Sequence, residues 1–284
     1  MIAFATCREL PDGWDDDREA ARLAGAEFVV WDDPAVDWAA YDRVVIRSVW
    51  DYSHRLDEFL GWCAAVGPGR LRNVPELVAF DADKRYLGEL RARTAPTLFV
   101  GPREPLPELR GEVVVKPNIS AGARDTGRFG PATHADALAL IERIRASGRV
   151  AIVQAYLADV DRRGETALVF IAGELSHVLR KRAVLRGEGE APLADGPLAP
   201  AAAMLEDDLV VPGEAEPAQA EFAAAVVAEV SERFGTPLYV RVDVAHADDD
   251  GLPVLMELEA IEPNLYLATA PGAAERFARA ALAS

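Results

Sequence analysis

A chain of 284 residues with half its positions hydrophobic is long enough for one large domain or two to three small ones. Its 30 basic residues against 47 acidic ones leave a net charge of −17, which repels nucleic-acid phosphates and supplies no basic stripe to bind them. No apolar run is long enough to cross a bilayer, the segment after Met1 lacks a secretory signal's core and basic flank, and Cys7 and Cys63 suggest neither a disulfide framework nor a metal knuckle, so the expected compartment is a reducing cytoplasm.

In chain order, apolar runs at 2–6, 27–31 and 43–47 predict strands, and the charged, alanine-rich stretch 15–24, closed by Gly25, predicts a helix between the first two. Strands alternating with helices favour a parallel sheet. Further helices are predicted over 56–66, ended by Gly67-Pro68-Gly69, and over 83–93. Strand patterns follow at 112–116, 150–156, 165–171 and 174–182, with a helix over 135–147 and a hairpin turn at Ala172-Gly173-Glu174. The stretch 187–217, rich in Gly, Pro, Ala and acids, reads as a long loop or lid. A clear amphipathic helix covers 218–234, strands at 238–246 and 253–258 flank an Ala-Asp-Asp-Asp-Gly turn, and a helix over 273–282 closes the chain.

Two constellations carry chemistry. The strand ending in Lys116 runs into Pro117-Asn118-Ile119-Ser120-Ala121-Gly122-Ala123-Arg124, where small residues let backbone N–H groups approach phosphate oxygens and the lysine adds a point charge. It matches neither the P-loop nor the dinucleotide pattern, and a plain surface turn would look similar. The chain has only three lysines, Lys84, Lys116 and Lys181, which makes each of them notable. In the second constellation, strand alternation puts Arg241 and Asp243 on one face and Glu257 and Glu259 on one face, so a hairpin through the acidic turn can converge three carboxylates beside an arginine. Oxygen-only ligands suit Mg²⁺ or Mn²⁺ rather than zinc. A charged edge hairpin is the plainer alternative, but the apolar neighbours Val240, Val242, Val244, Leu255 and Leu258 argue for an internal one. The run Arg180-Lys181-Arg182 at a strand end offers further cations for a triphosphate. The four histidines are scattered, and only His177, on the strand leading to that run, stands near it.

The order of these pieces, from Arg47 to Asn264, resembles the ATP-grasp superfamily, with glutathione-synthetase-like ligases among its members. The resemblance implies an α/β fold with an N-terminal parallel-sheet domain (1–75), a small central domain (76–155) and a C-terminal antiparallel-sheet domain (156–284). It implies ATP and Mg²⁺ or Mn²⁺ as cofactors, with Lys84 and Lys116 on the nucleotide and a phosphate-covering loop containing Ser120, Gly122 and Ala123. The hinge that pairs with adenine corresponds to Gln154, Ala155 and Leu157, and the ribose-binding acid to Glu165, with Asp161 as its rival. Arg241 then steadies the acyl phosphate or tetrahedral intermediate, and Asp243, Glu257 and Glu259 hold metal, Asn264 being able to replace Glu259. Arg180 and Arg182, from the run of cations, are counted with Arg241 as catalytic candidates.

Within the superfamily, Arg47-Ser48-Val49-Trp50-Asp51-Tyr52, the segment 116–126 and the segment 257–267 are similar to a cycloserine-forming, O-ureido-serine cyclo-ligase subgroup. That similarity implies a small-molecule carboxylate substrate held by Arg47, Ser48, Trp50, Asp51, Tyr52 and Asn264, with neither nucleic acid nor membrane as a partner, and a homo-oligomer is admissible. The expected activity is carbon–nitrogen ligation through an acyl phosphate, intramolecular or intermolecular. A non-catalytic nucleotide-binding regulator is the competing class, separated by ADP release with candidate carboxylates.

Overall fold

All five residues of β1 (Ile2–Thr6) are buried, as a strand inside a parallel sheet requires. Its neighbours β2 (Ala26–Val30) and β3 (Arg43–Ile46) pair with it in parallel, and β4 (Leu71–Arg72) extends the sheet beyond β3. The connecting helices are α1 (Arg18–Ala24), ended by Gly25 in the left-handed conformation, and α2 (Leu56–Val66). This is a computed structural model that describes residues 1–196 and 198–283.

A second, antiparallel sheet has the order β11-β7-β6-β8-β5, formed by β5 (Thr97–Val100), β6 (Val113–Pro117), β7 (Gly127–Phe129), β8 (Ala151–Ala155) and β11 (Gly189–Glu190). Helix α4 (His134–Ala146) covers it, placing Leu140, Ile141 and Ile144 against Val113, Val115 and Phe129. A third sheet, also antiparallel, has the order β12-β10-β9-β13-β14, from β9 (Glu165–Ile171), β10 (Glu174–Lys181), β12 (Val210–Pro212), β13 (Tyr239–His246) and β14 (Pro253–Glu259). All eight residues of β13 are buried, because sheet and helix α6 (Pro217–Phe234) sandwich it. The short α3 (Pro75–Asp81) and α5 (Asp159–Arg163) connect the sheets, and α7 (Ala273–Ala283) returns to the first sheet, its Phe277 edge-on to Phe4 at 5.9 Å.

The α/β architecture with an N-terminal parallel sheet and a C-terminal antiparallel sheet is the one anticipated, the central unit proves to be a second antiparallel sheet, and most long strands lie within a residue or two of their expected ends. The helix expected over 83–93 is instead one 3-10 turn, Lys84–Gly88. Tertiary bonds override local preference there: Tyr86 Oη bonds the backbone of Leu258, and Arg93 O accepts from Leu255 N at 2.8 Å. The stretch 187–217 is partly ordered into β11, a 3-10 turn at Ala202–Leu205 and β12, while Pro197 within it lies outside the described residues. Among the described residues no helix is long and apolar enough to cross a membrane.

Candidate active site

A cavity of about 590 Å³ opens between the two antiparallel sheets and the tip of the parallel one. On its floor the hairpin β13–β14 sets Arg241 opposite Glu259 and Asp243 opposite Glu257. One oxygen from each of Asp243, Glu257 and Glu259 lies within 4.8 Å of the other two. Arg241 grips Asp243 with two bonds of 2.8 and 3.0 Å and also contacts Glu259. Lys181 lies 2.9 Å from Asp243 and 3.2 Å from Glu165, and Lys84 lies 3.2 Å from Glu257. Burial pushes the Asp243 carboxyl up, but Arg241 and Lys181 outweigh it and hold the group below the usual range. At Glu259 burial wins over Arg241, and the carboxyl rises to about 7. Protein cations thus hold Asp243 and Glu257 below the usual carboxylate range, while at Glu259 repulsion from those two acids adds to the effect of burial.

Such an all-oxygen set fits a hard divalent cation. Asn264 lines the same cavity, but its side-chain oxygen accepts from Tyr266 N at 3.1 Å, and it is Glu259 that joins the carboxylate cluster.

Lys116 enters the cavity from β6 without an ion pair or hydrogen bond among the described residues, and burial pushes its ammonium below the usual lysine range, against the pull of Glu257. The following loop contributes Ser120, Gly122 and Ala123 to the wall, and the carbonyl of Ser120 accepts from Lys84 Nζ at 2.8 Å. Gly122 has φ +65°, its carbonyl accepts from Ala201 N at 2.7 Å, and a Cβ there would sit 2.9 Å from Pro200 Cβ. Only glycine lets this loop dock on the 187–217 stretch so closely.

At the far end of the cavity β8 delivers Gln154, Ala155 and Leu157. Ala155 N donates to Pro96 O at 2.9 Å, but proline has no N–H to return the bond, so the Ala155 carbonyl lacks its ladder partner. No hydrogen bond engages the Leu157 N–H among the described residues. An unpaired carbonyl and an N–H two residues on make a donor–acceptor edge of the kind that a planar heterocycle matches. Glu165 faces the cavity, whereas Asp161 turns to Arg128 at 2.9 Å and Tyr156 Oη at 2.7 Å and does not line it.

The substrate-side expectations divide. Trp50 and Tyr52 line the cavity, Trp50 against Trp14 at 5.0 Å with its Nε1 on the carbonyl of Glu262 at 3.1 Å. Arg47, Ser48 and Asp51 do not reach it. Arg47 is buried on Asp17 at 2.9 Å, on the carbonyl of Pro263 and over the Tyr239 ring, Ser48 bonds Thr6, and Asp51 accepts from Trp31 at 3.0 Å and pairs with Arg55. They pin the end of β3 to its surroundings. Arg180 and Arg182 also point away, because strand alternation turns only Lys181 inward. Arg180 bonds the carbonyl of Arg163, and Arg182 pairs with Glu206 and Asp208. His177 is held by the carbonyl of Leu265 at 2.7 Å and does not line the cavity, burial lowering its pKa. Conversely, Lys181, Arg124, Glu262, Asp81 and Trp14 line the cavity without having been singled out as site residues. For Lys181 a signal existed, since it is the third of three lysines and shares a strand register with Glu165.

Residues 2–73 match the family described as "D-cycloserine synthetase DcsG, N-terminal domain". Over 282 residues the chain is 35% identical to Cycloserine biosynthesis protein DcsG of Streptomyces lavendulae, covering 92% of this chain and 90% of that one. The crystal structure of D-cycloserine synthetase DcsG superposes with a TM-score of 0.85 at 33% identity, over 99% of this chain and 98% of that one. A RimK-domain ATP-grasp protein of Sphaerobacter thermophilus shares the fold, with a TM-score of 0.63 at 16% identity and 99% of each chain covered.

Proposed function

The chain belongs to the D-cycloserine synthetase (DcsG) family and is an ATP-dependent ligase of the ATP-grasp fold, and from this premise we propose that it activates a small amino-acid-type carboxylate as an acyl phosphate and closes it onto a nitrogen of the same molecule, turning O-ureido-serine towards cycloserine. One observation carries the reading: a single cavity gathers Lys84, Lys116, Lys181 and Arg241 beside Glu257 and Glu259, with the fully buried Asp243 clustered behind them, in a protein of net charge −17. All three lysines of so acidic a chain meet there beside clustered carboxylates, an arrangement that suits a polyanion bound together with a divalent cation.

On this reading Ala155 and Leu157 present their backbone edge to adenine, Glu165 takes the ribose, and Lys84 and Lys116 meet the phosphates under the loop of Ser120, Gly122 and Ala123. Asp243, Glu257 and Glu259 would hold Mg²⁺ or Mn²⁺, which when bound offsets triphosphate charge. A carboxylate oxygen of the substrate attacks the γ-phosphorus, the bond to the β-phosphate oxygen breaks, and ADP leaves. The ureido nitrogen bonded to oxygen then attacks the acyl carbon and loses its proton, and inorganic phosphate leaves with the former carboxylate oxygen. Water must also remove the carbamoyl group, as carbon dioxide and ammonia, for the ring to become cycloserine. Arg241, fixed by Asp243, is placed to offset charge on the acyl oxygen, and positioning does the rest. Trp50, Tyr52 and Asn264 would shape the substrate end. As a working division, 1–75 is the substrate-side unit, 76–155 covers the phosphates and 156–284 carries the metal ligands.

The test is ADP and phosphate release with O-ureido-serine and a panel of amino acids, with products weighed by mass spectrometry. Release with O-ureido-serine and a cyclic product is expected. A product joining two molecules would identify intermolecular amide ligation instead, and tight ATP binding with no release on any carboxylate would identify a regulator.

A further inference from the structure

Most charged groups around the cavity are already paired: Asp243, Glu257, Glu259 and Glu165 each contact a lysine or arginine. Among the described residues Lys116, Asp81 and Asp195 line the cavity without an ion pair, and so do two groups of opposite sign at the substrate end. The Glu262 carboxyl makes no ion pair or side-chain hydrogen bond among the described residues, although it lines the cavity beside Trp50 and Tyr52. Its backbone is held rigidly: the Glu262 carbonyl accepts from Trp50 Nε1 at 3.1 Å, and the adjoining Pro263 carbonyl accepts from Arg47 at 2.9 Å. The position is therefore built, not a loose surface turn.

Arg124, from the phosphate-covering loop, is the counterpart. It is buried, yet no carboxylate neutralises it; Ser53 Oγ at 2.6 Å, the Leu198 carbonyl at 2.9 Å and the His54 ring are its partners. Glu262 and Arg124 line the same cavity without touching, and with no cation beside it, burial and then the nearby Glu259 and Asp81 push the Glu262 carboxyl well above the usual carboxylate range. A buried unpaired charge is costly, and a ligand carrying both complementary charges relieves both costs at once. Tyr52 lines the same cavity. Glu9 also lines the wall, but it is exposed to solvent, where a pairing contributes little.

We propose that Glu262 binds the ammonium group of a zwitterionic amino-acid substrate whose carboxylate is drawn to Arg124, making Glu262 the residue that selects substrates with a free amino group. This rests on the ligase reading and adds to it the feature of the substrate that is recognised. The orientation is consistent with the chemistry, since it brings the carboxylate under the loop that covers the phosphates and leaves the side-chain nitrogen free to attack.

The experiment measures KM for O-ureido-serine and for the same molecule lacking its amino group, in the wild type, Glu262→Gln and Glu9→Gln. The wild type should favour the amino compound by about 10- to 100-fold in KM, the size of a lost charged hydrogen bond. Glu262→Gln should lose that preference while binding an ATP analogue as before, and Glu9→Gln should keep it. Should Glu262→Gln fold poorly, as judged by nucleotide binding, Glu262→Asp provides the same comparison and should retain part of the preference. A preference unchanged in the Glu262 variants, or abolished by Glu9→Gln instead, overturns the proposal and leaves the ligase reading standing. A wild type that releases no ADP with either compound overturns that reading, and this proposal with it.

Discussion

The ammonium of Lys181 on β10 lies 2.9 Å from Oδ2 of Asp243 on β13, reaching over the intervening strand β9 at Ala167, the residue opposite Asp243. The small side chain of Ala167 leaves the path open, and Glu165 takes the same ammonium from the side at 3.2 Å. Lys181 therefore links a proposed metal ligand to a proposed ribose ligand. Replacing Lys181 by Met should weaken binding of an ATP analogue by about 10- to 100-fold, the loss of charged hydrogen bonds in a buried site. Arg180→Ala and Arg182→Ala, whose side chains face away, should bind within about 2-fold of the wild type, because exposed pairings contribute little. Titration calorimetry reads all three, and equal losses at Arg180 and Lys181 would contradict the assignment of faces.

Removing a proposed metal ligand should affect stability as well as activity. Asp243 neutralises both Arg241 and Lys181, so Asp243→Asn leaves two buried cations short of a partner. Breaking one side of a buried pair costs about 3–5 kcal/mol. The variant should melt lower than the wild type without ligands and should need more Mg²⁺ for any residual ADP release. A higher melting temperature would mean that carboxylate repulsion, not ion pairing, dominates the cluster.

Lys116 presents the opposite case. It is a buried cation with no direct partner among the described residues, and burial pushes it below the usual lysine range against the pull of the more distant Glu257. Lys116→Met should raise the ligand-free melting temperature by removing that cost, yet bind an ATP analogue at least about 10-fold more weakly. Differential scanning fluorimetry with and without nucleotide separates the two effects. A lysine that merely supported the fold would lower both readings together.

A pH-dependent effect belongs to Asp81. Its Oδ2 accepts from Ala260 N at 2.7 Å, its Oδ1 has no partner, and burial pushes the carboxyl up to about 8 despite that backbone bond and Lys84. A folded-state pKa above the unfolded value means that the folded protein holds an extra proton between about pH 4 and 8. The contribution to stability is complete below pH 4 and is lost as pH rises towards 8, at up to about 1.4 kcal/mol per pH unit. Asp81→Asn keeps an acceptor for Ala260 and removes the titration. Its melting temperature relative to the wild type should therefore climb from pH 5 to pH 8, and a difference that stays flat would place the Asp81 pKa in the ordinary range.

Legibility from sequence followed the physics that fixes each feature. Buried strands such as Glu165–Ile171 showed in their apolar runs, and the two-residue alternation along β13 and β14 was enough to bring Asp243 towards Glu257 and Glu259. Lys116 could be found because it ends an apolar strand before a run of small residues. Where direction depended on tertiary packing, the signal failed. Arg47, Ser48 and Asp51 sit in a turn after β3, where no periodicity says which side chains face a cavity and which face Asp17, Thr6 or Trp31. The run 180–182 is three cations deep, and only its register with β9 distinguishes Lys181 from its neighbours. Glu262 and Arg124 lie inside the segments 257–267 and 116–126 that carried the resemblance, but that both face one cavity became visible only once those distant segments were brought together.

The central claim is activation of the substrate carboxylate through phosphorylation, and isotope transfer reads it most directly. O-ureido-serine labelled with ¹⁸O in both carboxylate oxygens is turned over with unlabelled ATP, and the inorganic phosphate is analysed by mass spectrometry or ³¹P NMR. The account predicts one ¹⁸O atom in each phosphate released during turnover. Phosphate that carries no label, or label found instead in AMP, would contradict it.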